Sequence, residues 1–337
     1  MHEVLPLNAE HSTRWILIGL ALGVLLAIFL VRSFGSGQAI EVHAKMPEQG
    51  GWTPSDLAAT AGQPLHLRLT SDDVLHGFAI GQSDQSPVDV EPGKMTELTL
   101  NFDQPGKYTY YCTRWCGPNH WRMRGTIEVQ PDLNKPGAAA SQSSQPEAEP
   151  LFIQMGVDID GQPHTDRIPP DRPNARRGQA LDTSLPEKYL AEEYYRTHSP
   201  VEVWESLRNE AFTQSYSDQQ VWDLVAWVWR QGTSPAKLAE GQMLFAQNCA
   251  ACHGEMGAGD GVMAEAVAAE YASSGHGPAG PIDFTDPHRN LATSPVIQQG
   301  KIIRGGMGTG MPYWGPIFTE EQIWALVDYL WTFQFEY

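Results

Sequence analysis

The four cysteines of this chain fall into two tight pairs, Cys112 with Cys116 and Cys249 with Cys252. Four in 337 residues is too few for a disulfide-stapled framework. Pairs set three or four residues apart instead bring two sulfurs to one point, as a metal centre or a covalently held cofactor requires. The pairs lie on either side of residues 133–150, a stretch dominated by Ala, Ser, Gln, Glu and Pro that cannot bury enough apolar surface to order itself. The chain therefore reads as two separate units, each built round one pair, with a tether between them.

A third unit precedes both. Residues 15–31 are an unbroken run of 17 apolar residues bracketed by Arg14 and Arg32. At about 1.5 Å per residue such a helix just crosses a hydrocarbon core, with the arginines reaching the interfaces. Residues 1–37 are expected to be a tail and a single transmembrane anchor. A cleaved signal peptide ending near Gly37-Gln38-Ala39 is the competing reading. Elsewhere, 18% charged and 41% apolar residues exclude both a disordered chain and a multi-span membrane protein. The formal charge of −18 leaves no electrostatic footprint for nucleic acid.

Residues 38–132 read as all-β. Leu65-His66-Leu67-Arg68-Leu69 alternates with period two, as do Leu98, Leu100 and Phe102, and turn signals at 61–64, 91–94 and 104–107 separate the runs. Short strands so spaced predict an antiparallel sandwich. Its last part holds Cys112, Cys116, His120 and Met123 in the pattern C-x-x-x-C-x-x-x-H-x-x-M. Thiolate, imidazole and thioether together suit copper. Two thiolates can bridge two ions, one taking a His and the Met, the other a second His and a backbone carbonyl. His76, at the end of a strand-like stretch, is the expected second imidazole. A Cys112–Cys116 disulfide, a zinc site and a thiol copper chaperone are the rival readings of the same residues.

Residues 65–130 resemble the dinuclear CuA domain of cytochrome c oxidase subunit II. The resemblance runs from Asp73-Val74-Leu75-His76-Gly77-Phe78 through Pro92-Gly93 and Pro105-Gly106-Lys107-Tyr108 to residues 112–123 and Gly125-Thr126-Ile127. It implies a cupredoxin Greek-key fold and a two-copper centre held by His76, Cys112, Cys116, His120, Met123 and the main-chain oxygen of Arg114. Many members of that family carry Glu at the Arg114 position, where it also touches a magnesium site. Arg cannot coordinate a cation, so that second site is not expected here, whereas a backbone contact to copper survives the change. The single anchor is similar to the B-type branch of haem–copper oxidases.

From about residue 186 the pattern turns helical. Residues 217–229 and 319–331 each open with Ser or Thr at an N-cap position, place Asp or Glu in the first turn and then carry a Trp/Leu/Val face. Ser199-Pro200-Val201 echoes Ser294-Pro295-Val296 upstream. Residues 186–236 are therefore expected to be a shortened copy of the last domain without a cofactor, with 133–185 a linker and 237–337 the final domain. Chance likeness between two amphipathic helices is the alternative. Cys249-Ala250-Ala251-Cys252-His253 is the C-x-x-C-H signature of covalent haem c, with the cysteines forming thioethers and His253 the proximal ligand. The distal ligand is expected from Met307 or Met311, with Met311 preferred. Gly310-Met311-Pro312 and the helix after it resemble bacterial class I cytochromes c across 237–337. His276 and His288 are read as surface or propionate-side residues, and His2, His11, His43, His66, His164 and His198 as solvated.

Assembly of both centres takes place outside the cytoplasmic membrane, so residues 1–14 are expected inside and everything after Arg32 on the periplasmic side. The resemblance implies a subunit of a terminal cytochrome c oxidase, which takes electrons from a soluble cytochrome c or another donor through haem c to CuA and on to catalytic subunit I. No residue here is expected to reduce O₂. Residues 237–337 hold 4 Lys+Arg against 11 Asp+Glu, a balance that suits a basic donor. The input subunit of a CuA-type nitric oxide reductase, an anchored redox shuttle and a copper-delivery protein are the other readings.

Overall fold

In a computed structural model, nine strands among the described residues form two sheets. The model describes residues 39–132 and 149–337 except 84, 115, 118–119, 182–183, 274–279 and 307–309, and leaves out the side chains of 121 and 270. The apolar run 15–31 and the tether residues 133–148 lie outside the described residues. Among the described residues no helix is long and apolar enough to cross a membrane.

The strands are β1 (Ile40–Ala44), β2 (Trp52–Thr53), β3 (Asp56–Thr60), β4 (Pro64–Ser71), β5 (His76–Ile80), β6 (Val88–Val90), β7 (Thr96–Asn101), β8 (Gly106–Tyr111) and β9 (Arg124–Gln130). One sheet runs β2-β1-β4-β7 and the other β3-β9-β8-β5-β6. The alternation in β4 buries Leu65, Leu67 and Leu69 and turns Arg68 outward, with His66 half-exposed and hydrogen-bonded to Thr99. The sandwich is not wholly antiparallel, as the sequence predicted: β1 pairs parallel with β4, and β3 parallel with β9. Period two reports which face of a strand is buried and carries no information on the direction of its neighbour. Between the sheets Trp52 meets Phe78 and Tyr110 edge-on at 5.5 and 5.7 Å. Tyr110 lies over Gly125, its direct cross-strand partner, where any side chain would overlap the ring.

The second half is helical: α1 (Leu151–Gln154), α2 (Ala175–Gln179), α3 (Glu192–Thr197), α4 (Pro200–Arg208), α5 (Asp218–Gln231), α6 (Pro235–Asn248), α7 (Ala250–His253), α8 (Ala264–Ser273), α9 (Pro287–Asn290), α10 (Pro295–Arg304) and α11 (Glu320–Leu330). Ser199, Ser217 and Thr319 each close a capping box, with Glu202, Gln220 and Gln322 reaching back to the cap. Two close crossings organise these helices. In one, Gly178 of α2 lies on the Asp223 carbonyl of α5; in the other, Gly241 of α6 lies on the Ala325 carbonyl of α11. The register that sets Ser217 on Thr319 also sets Asp223 on Ala325.

The expected boundary between 236 and 237 does not divide the packing. One apolar cluster runs from Ala175 to Phe335, and Trp229 of α5 packs edge-on against Trp331 and Phe335 at 5.5 and 5.7 Å. The linker expected over 133–185 also needs correction from residue 149 onward. Phe152 and Ile159 pack on Gly300, the Asp160 carboxylate meets Lys301 at 3.1 Å and Arg304 at 2.7 Å, and Asn174 bonds Glu336 at 2.7 Å. Every one of these partners is more than a hundred residues away in sequence, which is why local periodicity is silent about the strap.

Among the described residues the two halves meet at the 313–317 turn. Gln82 donates its main-chain N–H to the Ile317 carbonyl at 2.9 Å and its side-chain amide to the Gly315 carbonyl at 2.7 Å. Arg124 donates to the Tyr313 carbonyl at 2.7 Å, its guanidinium 5.0 and 5.1 Å from the Tyr313 and Trp314 ring centres. Gly81 abuts the Pro316 carbonyl, with no room for a Cβ.

Two substitutions test this packing. Gly241→Val forces a branched side chain into the Ala325 carbonyl, and overpacking of this kind costs about 1–3 kcal/mol; denaturant unfolding should show at least that loss. Gly81→Val should leave the thermal stability of the sandwich core nearly unchanged but part it from the 313–317 turn, read as a larger radius of gyration by small-angle X-ray scattering.

Candidate metal and haem sites

The sandwich gathers its predicted donors at one end. β8 delivers Cys112 at its end, the loop beyond carries Cys116, His120 and Met123, and β5 begins at His76. Cys112, Cys116, His76, His120 and Met123 are all buried. The ligand atoms of His76, Cys112 and Cys116 lie within 4.8 Å of one another. Both thiols are free, so no disulfide links the pair.

The donors divide into two groups, one round each sulfur. Cys112 Sγ lies 3.7 Å from His76 Nδ1 and 3.3 Å from the Arg114 carbonyl oxygen. Cys116 Sγ lies 3.4 Å from His120 Nδ1 and 3.6 Å from Met123 Sδ. One imidazole with a carbonyl stands on one side, and one imidazole with a thioether on the other. This is the division the sequence predicts for two bridged ions. The Arg114 side chain points away and pairs with Asp89 at 2.8 and 3.2 Å, leaving only its backbone for the site.

The surroundings hold these groups in place. Gly77 donates to Cys112 Sγ at 3.5 Å and accepts from Thr113 N–H at 3.2 Å, and a side chain at Gly77 would overlap Thr113. Cys112 N–H bonds the Met123 carbonyl at 3.0 Å, and Trp52 Nε1 donates to the same oxygen at 3.2 Å. Asp73 accepts from His76 Nε2 at 2.7 Å, which turns Nδ1 toward the sulfur. Sequence reading missed Asp73 as a positioning residue, although its place three residues before His76 was the available signal.

The electrostatics favour anionic sulfur. The hydrogen bond from Cys116 draws the Cys112 thiol far below the ordinary range against the opposing effect of burial, with His120 and His76 adding to it. Holding a proton beside that thiolate pushes the Cys116 thiol up. The pair thus gives up one proton readily and retains the second. Burial pulls the His76 imidazole down, but its bonds to Cys112 and Asp73 outweigh that and the net shift is upward.

The second site is a cavity of about 380 Å³ in the helical half, lined by Cys249, Cys252, His253, Phe284, Met311 and Trp314 among others. α6 runs into the attachment motif, and α7 carries Cys252 and His253. His253 Nδ1 donates to the Ile282 carbonyl at 3.2 Å, which leaves Nε2 with a lone pair available to a metal. Burial lowers the His253 pKa and keeps the ring neutral, the form that ligates iron. Burial also raises Cys249, to about 12, and Cys252, so neither is an exposed reactive thiolate. Met311 stands on the loop before α11, with its carbonyl accepting from Gly306 N–H at 3.0 Å. Met307 and His276 lie outside the described residues. The donor sets of both sites fit the groups the sequence implies: two sulfurs with two imidazoles, a thioether and a carbonyl for copper, and a paired thiol, a neutral imidazole and a facing thioether for haem.

Of the histidines read as solvated, His43 is half-exposed and bonds Asp72 at 2.8 Å and Glu41 at 3.2 Å, and His198 stacks on Tyr194 at 4.0 Å. His164 is 61% exposed, and His288, read as a surface or propionate-side residue, is half-buried. Their rings stack at 5.4 Å beside Asp166, although they are 124 positions apart in sequence.

The β half thus holds a buried paired-thiol site, and the helical half a cavity lined by the C-x-x-C-H motif. Residues 55–130 match the family model described as cytochrome c oxidase subunit II, periplasmic domain, and residues 238–334 match that of cytochrome c. Residues 55–130 are thus similar to the periplasmic domain of oxidase subunit II, and residues 238–334 to cytochrome c. Two proteins of Thermus thermophilus named cytochrome c oxidase subunit 2 are each 34% identical over 80 residues, 24% of this chain. The matched stretch spans 58% of one and 47% of the other. The periplasmic domain of subunit II of the cytochrome oxidase of Bradyrhizobium japonicum is 20% identical, covering 27% of this chain and 82% of that one, at a TM-score of 0.24. A structure of a heme-copper terminal oxidase dimer shows 22% identity over 36% of this chain and 99% of its own, also at 0.24. Both scores are too low to support an inference.

The thiol pair makes a spectroscopic prediction. In metal-free protein, thiolate absorbance near 240 nm should appear well below the ordinary thiol range of about 8–9 as a first proton leaves. In Cys116→Ser that early rise should move to higher pH, because the hydrogen bond that stabilises the Cys112 thiolate weakens.

Proposed function

We propose that this chain is the electron-input subunit of a membrane-anchored haem–copper terminal oxidase. It takes electrons from a cytochrome c donor and passes them by way of haem c and a dinuclear copper centre to the catalytic subunit. The reading rests on one observation above the others: the two donor sets, each complete, occur in halves of one chain that meet at the 313–317 turn. His76, Cys112, Cys116, His120, Met123 and the Arg114 carbonyl would hold two coppers. Cys249, Cys252, His253 and Met311 would hold one covalent haem. Bound there, each group supplies a one-electron redox couple. The chain's own residues make the transfer fast and directed. A buried, hydrogen-bonded donor set on a stiff sandwich changes little between oxidation states. Asp73 and the Ile282 carbonyl fix the ring orientations of His76 and His253. Gln82 and Arg124 hold the turn that follows Met311 against the strand that follows Met123, so that segments adjoining the two donor sets meet at one interface. A covalent link of this kind replaces a diffusive encounter by a high effective concentration.

The anchor in residues 1–37, with the redox domains on the periplasmic side, belongs to the same proposal. So does the reading of residues 186–236 as a shortened copy of the cytochrome domain. It is supported by the matched glycine–carbonyl crossings and by the capped helices that follow each other in the same order in both stretches. In that copy Trp222, Trp229 and Trp204, all buried, occupy the interior.

Metal and haem analysis of the intact chain decides the reading. Two coppers and one covalently held haem per chain, with a mixed-valence copper spectrum, are the expected result. Met123→Leu should keep the copper and shift its potential, since one thioether donor would be lost while both thiols stay in place. Protein that holds the haem and never loads more than one copper ends the proposal, and co-purification without any multi-haem membrane partner makes the chain a free-standing shuttle.

A further inference from the structure

The strap that precedes the helical half brings a second set of metal-binding groups together. His164 and Asp166 stand on the strap, and His288 stands on α9 of the cytochrome domain. One ligand atom from each lies within 4.8 Å of the other two. The imidazoles are parallel to within 8°. His164 Nε2 is 3.3 Å from an Asp166 carboxylate oxygen.

The backbone beneath this cluster is held independently of the side chains above it. Thr165 N–H donates to the His288 carbonyl at 2.9 Å, and His288 Nδ1 donates to the Thr165 carbonyl at 2.9 Å. Asp286 caps α9 by accepting from His288 N–H at 3.0 Å. The bond from Nδ1 has a chemical consequence. It fixes the neutral tautomer of His288 and leaves Nε2 with a free lone pair, which is how protein backbones orient histidines that bind metals. The His164 and Asp166 side chains are 61% and 96% exposed, so both are free to turn toward a common ion with His288.

We propose that His164, Asp166 and His288 form a surface site for one borderline divalent cation of the zinc type, which clasps the strap onto the cytochrome domain. Two imidazoles and a carboxylate make a three-ligand set that leaves a fourth, water-filled position on a tetrahedral ion. Hard cations such as magnesium and calcium demand mostly oxygen and are disfavoured by the paired imidazoles. The place of the site says what it would do. Asp160, Gly161, Gln162 and Pro163, immediately before His164, line the cavity beside Cys249 and His253. Asp160 already pairs with Lys301 and Arg304 of α10. A cation a few residues further along would pin the other end of the same segment, so that the strap bordering the cavity is tied down at two points.

The site is independent of the copper centre and of the function proposed above. The experiment is a calorimetric titration of zinc chloride into the full chain with its copper and haem already loaded, so that the buried thiols are occupied. One saturable equivalent of zinc per chain is the expected result. His288→Ala should weaken that binding at least tenfold, Asp166→Asn should weaken it by less, and His164→Ala with His288→Ala together should abolish it. The exposure of the strap residues predicts that these variants keep their far-ultraviolet circular dichroism and haem absorbance. X-ray absorption at the zinc edge should report two imidazoles in the bound state. Absence of a saturable equivalent, its survival in the double variant, or an edge spectrum without imidazole scattering would each overturn the proposal.

Discussion

Two thiols buried side by side are the constraint on which the sandwich half depends. A sulfur that ionises in an apolar interior needs positive or hydrogen-bonding neighbours, and a second thiol, two imidazoles and a backbone N–H supply them round Cys112. That requirement fixes much of what surrounds the pair. Gly77 has no side chain because the 112–114 loop lies directly on it. Trp52 and Cys112 both spend an N–H on the Met123 carbonyl, which holds the chain in place at the far end of the loop. Asp73 fixes the His76 ring from behind. These hydrogen bonds and close contacts together hold the donor atoms in one arrangement.

The helical half is governed by backbone contact. Gly178 against Asp223 and Gly241 against Ala325 allow two helix pairs to approach until a carbonyl fills the place of a side chain. The two crossings sit at matching positions of similar sequence. Yet only one of the two pairs flanks a cavity with the attachment motif, and in the other, tryptophans fill the interior. The two pairs then fuse through Trp229, Trp331 and Phe335 into a single core. The stretch without a C-x-x-C-H motif thus acts as a packing partner for the stretch that carries one.

The contact between halves is small and specific. It uses the loop immediately after Met311 and the strand immediately after Met123, so the proposed distal thioether and the proposed copper thioether each lie next to an interface residue. Arg124 is the link. Burial drives its pKa down, and the Tyr313 carbonyl and two aromatic faces compensate the buried cation.

Much of each site was legible in the sequence because the chemistry is local. Cys112, Cys116, His120 and Met123 fall within one loop, and Cys249, Cys252 and His253 within one turn and a half of chain, so spacing alone shows that they can meet. Helix starts at Ser199, Ser217 and Thr319 were legible for the same reason, since a cap is written three residues ahead of its partner. What the tertiary structure alone decided are the relations between distant segments. Strand direction in β1 and β3, the merging of two helical stretches into one core, the order of the strap over 149–181, the Arg124 contact and the meeting of His164 with His288 all join residues far apart in the chain. Periodicity and short motifs describe what a segment presents to its surroundings; only packing decides which surroundings it meets.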